Sequence, residues 1–228
     1  MVMSRTSLRP TTVLAGSATF GALAALITLA APPALQPPFP ILFYLKFDVA
    51  EVVDLCSFML FGPSAGLLTL GIHALILGSV GGSAGFGPFG ASLKFLGVLT
   101  TYLGLLIVSK FGKRRLAGTG LKMTLASLGT RVPLMTVVNY LYILFFAQVV
   151  FGMDYLGYPQ FLLSQAGINV TGAGLIEYVL ALTALYNAIH VVFSVLVSLV
   201  VVNTLLTRAP NLLQSGAWIT RLLSPSSK

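Results

Sequence analysis

Charge is what this 228-residue chain has least of: 8% of its residues are Asp, Glu, Lys or Arg, where a water-soluble domain of this size carries about a quarter. With 57% hydrophobic residues and a mean hydropathy of +0.96, no soluble surface can be built, and a chain that dissolves in lipid must satisfy its backbone internally, as helix. There is one cysteine, Cys56, which excludes an internal disulfide and a cysteine metal cluster and is expected to serve packing. The two histidines, His73 and His190, belong to no HExxH pair, and no Lys-Ser or Lys-Thr follows the glycines of GGSAGFGPFG to complete a phosphate loop. ATPase and metalloprotease signatures are therefore missing.

What is present is a series of apolar runs. Each span needs about 20 such residues to cross roughly 30 Å of hydrocarbon, and the runs predict six transmembrane helices in one integral membrane domain over 1–228, with 1–10 and 208–228 as tails. The first runs from about Thr11 to Ala31 and is stopped by Pro32 and Pro33. It is too long for a signal-peptide core of about 7 to 15 residues. Val49 to Phe61 is a short second span, Gly62-Pro63 a turn, and Ala65 to Val80 its return. Ala91 to Ser109, Thr124 to Val150 and Leu175 to Leu206 complete the set, with Gly81 to Gly90 and Phe151 to Gly174 read as loops.

Positive charges gather before the first span (Arg5, Arg9), between the fourth and fifth (Lys110, Lys113, Arg114, Arg115, Lys122) and after the sixth (Arg208, Arg221, Lys228). By the positive-inside rule all three places are cytoplasmic, so both termini are expected inside a multi-pass plasma membrane protein. The acids Asp48, Glu51, Asp54, Asp154 and Glu177 then fall at or near the outer face. The net charge of +8 reports topology and anionic headgroups, not nucleic acid.

The polar groups that remain suit an outward-facing ligand pocket. In YLKFDVAEVVD (Tyr44 to Asp54) the acids Asp48, Glu51 and Asp54 are three apart, so on a helix they drift around one flank and are expected to line the mouth together. Lys94 is the expected countercharge, since an unpaired ammonium at that depth is costly; a structural salt bridge and a ligand contact are both open. Asn139 and Asn187 lie mid-span, and His190 shares a face with Asn187. Amides offer donors and an acceptor to a planar heterocycle, and equally serve as interhelical hydrogen bonds. His73 is expected to be a satisfied interhelical histidine.

These segments resemble the substrate-binding S components of energy-coupling factor (ECF) vitamin transporters, most closely the riboflavin-binding branch. The resemblance lies in YLKFDVAEV (Tyr44 to Val52), FGPSAG (Phe61 to Gly66), GPFGASLKF (Gly87 to Phe95), PLMTVVNY (Pro133 to Tyr140) and LYNAIH (Leu185 to His190), in that order over residues 40 to 190. It implies an all-α, six-helix bundle that binds without chemistry: no catalytic residues, no cofactor and no metal, with riboflavin or a related flavin as transported ligand. It also implies that Asn139 and Asn187 hydrogen-bond the isoalloxazine edge, with His190, Tyr44, Lys46, Phe47, Asp48 and Lys94 around the ligand. His190 stands where that family usually has Lys, and Asp54 where an apolar residue or proline is expected. The loop from Ala34 to Asp48, with Phe39, Phe43, Tyr44 and Phe47, would close over the ring.

The resemblance further implies a transmembrane coupling subunit and two cytoplasmic ATPase subunits, docked through small residues of the first helix. Ala18 and Ala22 form an AxxxA, with Gly21 and Ala25 beside it, spacings that let helices approach closely. Two alternatives stand beside this reading: an S component for another vitamin or heterocyclic precursor, and a membrane-embedded enzyme using His190 with an acid. Glu177 is excluded as that acid, because thirteen residues of helix separate it from His190 by about 20 Å, while Asp48 or Glu51 could still fold over.

Overall fold

The computed structural model describes residues 8–30, 32–80, 87–111, 118–150, 156–208 and 217–220. Arg5, Lys113, Arg114, Arg115, Asp154, Arg221 and Lys228, and the glycine-rich segment 81–86, lie outside the described residues. The chain forms α1 (Pro10–Ala30), α2 (Ala50–Phe61), α3 (Pro63–Val80), α4 (Gly87–Phe111), α5 (Thr119–Leu141), α6 (Gly157–Gln165) and α7 (Gly172–Arg208). Five of these, α1, α3, α4, α5 and α7, are long and apolar enough to cross a membrane. Large apolar side chains such as Leu14, Leu75, Val137 and Val200 are exposed on their outer faces, as a lipid-facing bundle requires.

The six expected spans correspond to α1 to α5 and α7, but α2, expected as a short span, is too short to cross, and two further corrections apply. Residues 151–174, read as loop, contain the nine-residue α6. Its Leu163 packs with Ile143, Leu175 and Val179 into a small second core, and this burial, invisible as a span-length run, orders it. The fifth span begins at Thr119, ahead of its apolar run, and after Leu141 continues as a π-helix through Tyr142–Val150.

The long helices pack in sequence as an arc: α1 against α3, α3 against α4, α4 against α5 and α5 against α7. Inside the arc stands α2, touching α1, α3, α4 and α7. At 12 residues it rises only about 18 Å and cannot span, yet ten of its residues are buried. Glycines permit the close approaches: a Cβ on Gly104 of α4 would collide with the Ser127 backbone of α5, and one on Gly66 of α3 would meet Phe58 of α2 at 2.7 Å.

Helix direction alternates, so the C-terminal end of α1 and the N-terminal ends of α2, α4 and α7 share one end of the bundle. Arg9, Lys110, Lys122 and Arg208, at the opposite helix ends, share the other. The connection from α1 to α2 folds as a narrow flap over the first end. It starts with a turn of 3-10 helix at Pro33–Leu35, and it is tied to itself by Phe39 N donating to Leu45 O at 2.7 Å and Phe47 N to Pro37 O at 3.0 Å. Phe39 and Leu42 anchor it by burial.

Candidate functional site

The start of α2 organises the site. Asp48 precedes the helix and its Oδ1 accepts the Ala50 amide at 2.8 Å, one of the donors that a helix N-terminus leaves open. Its Oδ2 accepts the Thr28 hydroxyl of α1 at 2.7 Å and pairs with Lys94 of α4. One turn on, Glu51 is 1% exposed. Its Oε1 pairs with Nη1 of Arg131 from α5 and accepts the Ser194 hydroxyl of α7 at 2.8 Å. Three residues further the helix has turned again. Asp54 faces α3, where its Oδ2 lies 2.9 Å from His73 Nδ1.

The three acids therefore do not line one mouth. Three residues advance a helix by about 300°, so Glu51 and Asp54 point to different neighbours, and Asp48 is not yet helical. Asp48 and Glu51 border a cavity; Asp54 does not. His73 is the interhelical histidine expected, its Nε2 lying 3.0 Å from Thr28 Oγ1. Cys56 is buried, its Sγ 3.9 Å from Ser198 O.

The cavity, of about 620 Å³, opens beneath the flap between α4, α5 and α7. Tyr44, Lys46, Asp48, Lys94, Asn139, Asn187 and His190 line it. Phe47 does not: its ring packs behind the wall, 5.1 Å from Tyr186 and 5.7 Å from His190 between centroids. Tyr186 ties flap to bundle, its hydroxyl donating to Lys46 O at 2.7 Å. Tyr44, Phe89, Tyr158 and Tyr186 give the cavity aromatic walls.

Arg131 is the site residue that the reading of apolar runs passed over. It sits inside the fifth run, 4% exposed, and the signal was available: an arginine within a span marks a functional or paired site by default. Its Nε donates to Asn187 Oδ1 at 2.9 Å and its Nη1 to Thr101 Oγ1 at 3.2 Å. Gly97 leaves it room, since a Cβ there would meet Nη2 at 3.3 Å. Asn187 Nδ2 returns to Thr183 O at 2.9 Å, and Asn139 Nδ2 to Met135 O at 2.7 Å. Each amide uses one N–H within its own helix, and both residues line the cavity.

His190 Nε2 lies 3.4 Å from Glu51 Oε2, so an acid does fold over to this histidine. That acid is held by Arg131 and Ser194 rather than left to act as a base. Among the described residues no group of three His, Cys, Asp or Glu could hold a metal ion. On α1, Ala18 and Ala22 are exposed, whereas Gly21 and Ala25 are buried, Gly21 against Ile72 and Thr69 of α3.

No protein-family model and no curated protein matches this chain. A solved structure does: the S component of a bacterial ECF transporter superposes with a TM-score of 0.58 at 18% sequence identity, over 90% of this chain and 99% of that one. The chain is an all-helical membrane bundle with the fold of an S component.

Proposed function

We propose that this chain is the substrate-binding S component of an ECF-type uptake transporter and that its ligand is riboflavin or a closely related flavin. The observation that carries the reading is the cavity: on an S-component fold, aromatic walls and the amides of Asn139 and Asn187 surround a volume in the range of small-molecule sites. Its carboxylates, Asp48 and Glu51, are each paired with a cation of the same wall. Neither carboxylate is therefore left to attract a cationic ligand, and the lining also carries Lys46, which suits a polar ring with acceptor carbonyls. The flap carrying Tyr44 and Lys46 is the lid through which the ligand enters.

In this reading the cavity end faces outward and the end bearing Arg9, Lys110, Lys122 and Arg208 faces the cytoplasm, as the positive-inside rule requires. A transmembrane coupling subunit and two ATPase subunits supply the energy. The exposed Ala18 and Ala22 offer the coupling subunit a surface of close approach, while Gly21 and Ala25 are spent on packing within the chain.

The test is the absorption spectrum of protein purified in mild detergent. A flavin pair of bands between about 350 and 500 nm, weakened in Asn139→Ala, supports the proposal. Colourless protein that also fails to quench added riboflavin fluorescence overturns the flavin and moves the ligand to another heterocycle, with His190 as the residue that changed the edge.

A further inference from the structure

A second polar cluster lies behind the cavity wall, among α1, α2, α3 and α4. Asp54 Oδ2 and His73 Nδ1 are 2.9 Å apart, His73 Nε2 and Thr28 Oγ1 3.0 Å, Thr28 Oγ1 and Asp48 Oδ2 2.7 Å, and Lys94 Nζ reaches Thr28 Oγ1 at 2.9 Å. Asp54 and His73 are both 0% exposed. Asp54 Oδ1 has no hydrogen-bond partner among the described residues, which is costly for a buried carboxylate.

The hydrogens available along this chain of contacts allow two states. Thr28 has one hydroxyl hydrogen and two acceptors competing for it. If it donates to Asp48, His73 must donate from Nε2 to Thr28 Oγ1, and the Asp54–His73 contact needs a second proton, on Asp54 or on Nδ1. The dyad is then neutral overall. If Thr28 donates instead to His73 Nε2, that nitrogen is bare, Nδ1–H donates to an Asp54 carboxylate, and the dyad carries one negative charge. The two states differ by one proton and by the direction of one hydroxyl.

We infer that Asp54 and His73 form a proton-binding site that Thr28 couples to the Lys94–Asp48 pair in the cavity wall. A ligand that draws Lys94 from Asp48 leaves the Thr28 hydroxyl as the remaining side-chain donor to Asp48 Oδ2 among the described residues. Fixing the hydroxyl there requires the protonated dyad. Ligand binding therefore takes up a proton, and by linkage affinity rises as pH falls. The other ionisable groups within electrostatic reach are Glu51, Cys56 and Tyr102, whose hydroxyl donates to Asp54 O at 2.9 Å.

The proton site stands independently of the ligand proposed above; its effect on affinity rests on that reading. In protein labelled with ¹⁵N-histidine, the two histidines are told apart with His73→Gln, and the His73 tautomer is followed between about pH 5 and 9. The expected result is a change from protonated Nε2 at low pH to Nδ1–H at high pH, absent in Asp54→Asn. A tautomer constant across the range, or a switch unchanged in Asp54→Asn, overturns the site. Riboflavin affinity is then measured over the same range. Tightening by up to about tenfold per pH unit, the limit for one linked proton, kept in Thr28→Ser and lost in Thr28→Val, supports the coupling. A flat profile in wild type, or one that survives in Thr28→Val, overturns it. Riboflavin that binds at no pH instead sinks the flavin reading, and the histidine spectra still decide the proton site.

Discussion

Arg131 and Asn187 meet across the α5–α7 interface, guanidinium Nε donating to amide Oδ1 at 2.9 Å, and this contact fixes how the floor of the cavity is built. The same guanidinium neutralises Glu51, so a short central helix, a long outer helix and a candidate ligand-binding amide are set by one side chain.

Arg131→Ala leaves the Glu51 carboxylate buried without its guanidinium, beside the Ser194 hydroxyl at 2.8 Å and His190 Nε2 at 3.4 Å. Breaking a buried pair from one side costs about 3–5 kcal/mol. Thermal unfolding in detergent, followed by the fluorescence of Trp218, should show a large loss of stability. Removing both charges, in Arg131→Met with Glu51→Leu, should recover much of it. A stable Arg131→Ala would mean that the pair does not form.

The two asparagines separate binding from scaffolding. Asn139 is tied by its amide to Met135 O of its own helix, so Asn139→Ala should weaken riboflavin binding by about 1 kcal/mol, roughly fivefold, and leave the unfolding midpoint nearly unchanged. Asn187→Ala should cost binding and stability together, because it strands Arg131 Nε. Fluorescence-quenching titrations beside thermal melts distinguish the two, and equal behaviour would contradict the geometry.

Much of this was legible in the sequence, and what was not has a physical reason. Apolar run length located α1, α3, α4, α5 and α7, because lipid imposes that length. The short α2 was also read, since Gly62-Pro63 punctuates it. The nine-residue α6 was hidden because its order comes from packing on Leu175 and Val179, a tertiary effect. Asn139, Asn187, His190 and Lys94 were found as isolated polar groups in apolar surroundings. Arg131 satisfied the same criterion and was masked by the length of its run. Asp54 was misplaced because spacing of three gives an angle about the axis and not the neighbour met there, which is His73. Phe47, which the resemblance places around the ligand, sits between the cavity-lining Lys46 and Asp48, but its ring packs on Tyr186 and His190 instead.

Gly104 marks a close approach of α4 to α5, where a Cβ would collide with Ser127 Cα. In Gly104→Ala the new methyl meets the Ser127 backbone, with the Ala126 carbonyl carbon 2.7 Å away, and backbone cannot rotate aside. Overpacking of this kind costs about 1–3 kcal/mol. Gly129→Ala is the matched control on α5: nothing lies within 4 Å of its Cβ, and the gain in helix propensity is up to about 1 kcal/mol. The melting temperature should fall in the first and hold or rise in the second. The reverse order would show that α4 and α5 do not pack in this register.

The far end of α2 depends on a segment from beyond α7. A helix that stops inside the bundle leaves its last carbonyls without partners, and in lipid they find no water. Here the Trp218 amide donates to Leu60 O and the Ile219 amide to Met59 O, each at 2.9 Å. Trp218 packs edge-on to Phe58 at 5.0 Å, and Ile219 is 2% exposed in the main core. Ile219→Asp places a carboxylate there and should expel the segment, uncapping α2. Ile219→Val, losing one methylene, should cost only about 0.5–1.5 kcal/mol. Amide hydrogen exchange is the measurement: in Ile219→Asp, protection should fall at Trp218 and at residue 219 and in the last turn of α2, while α5 and the cavity end stay protected. Unchanged exchange in that turn would show that the segment is not its cap.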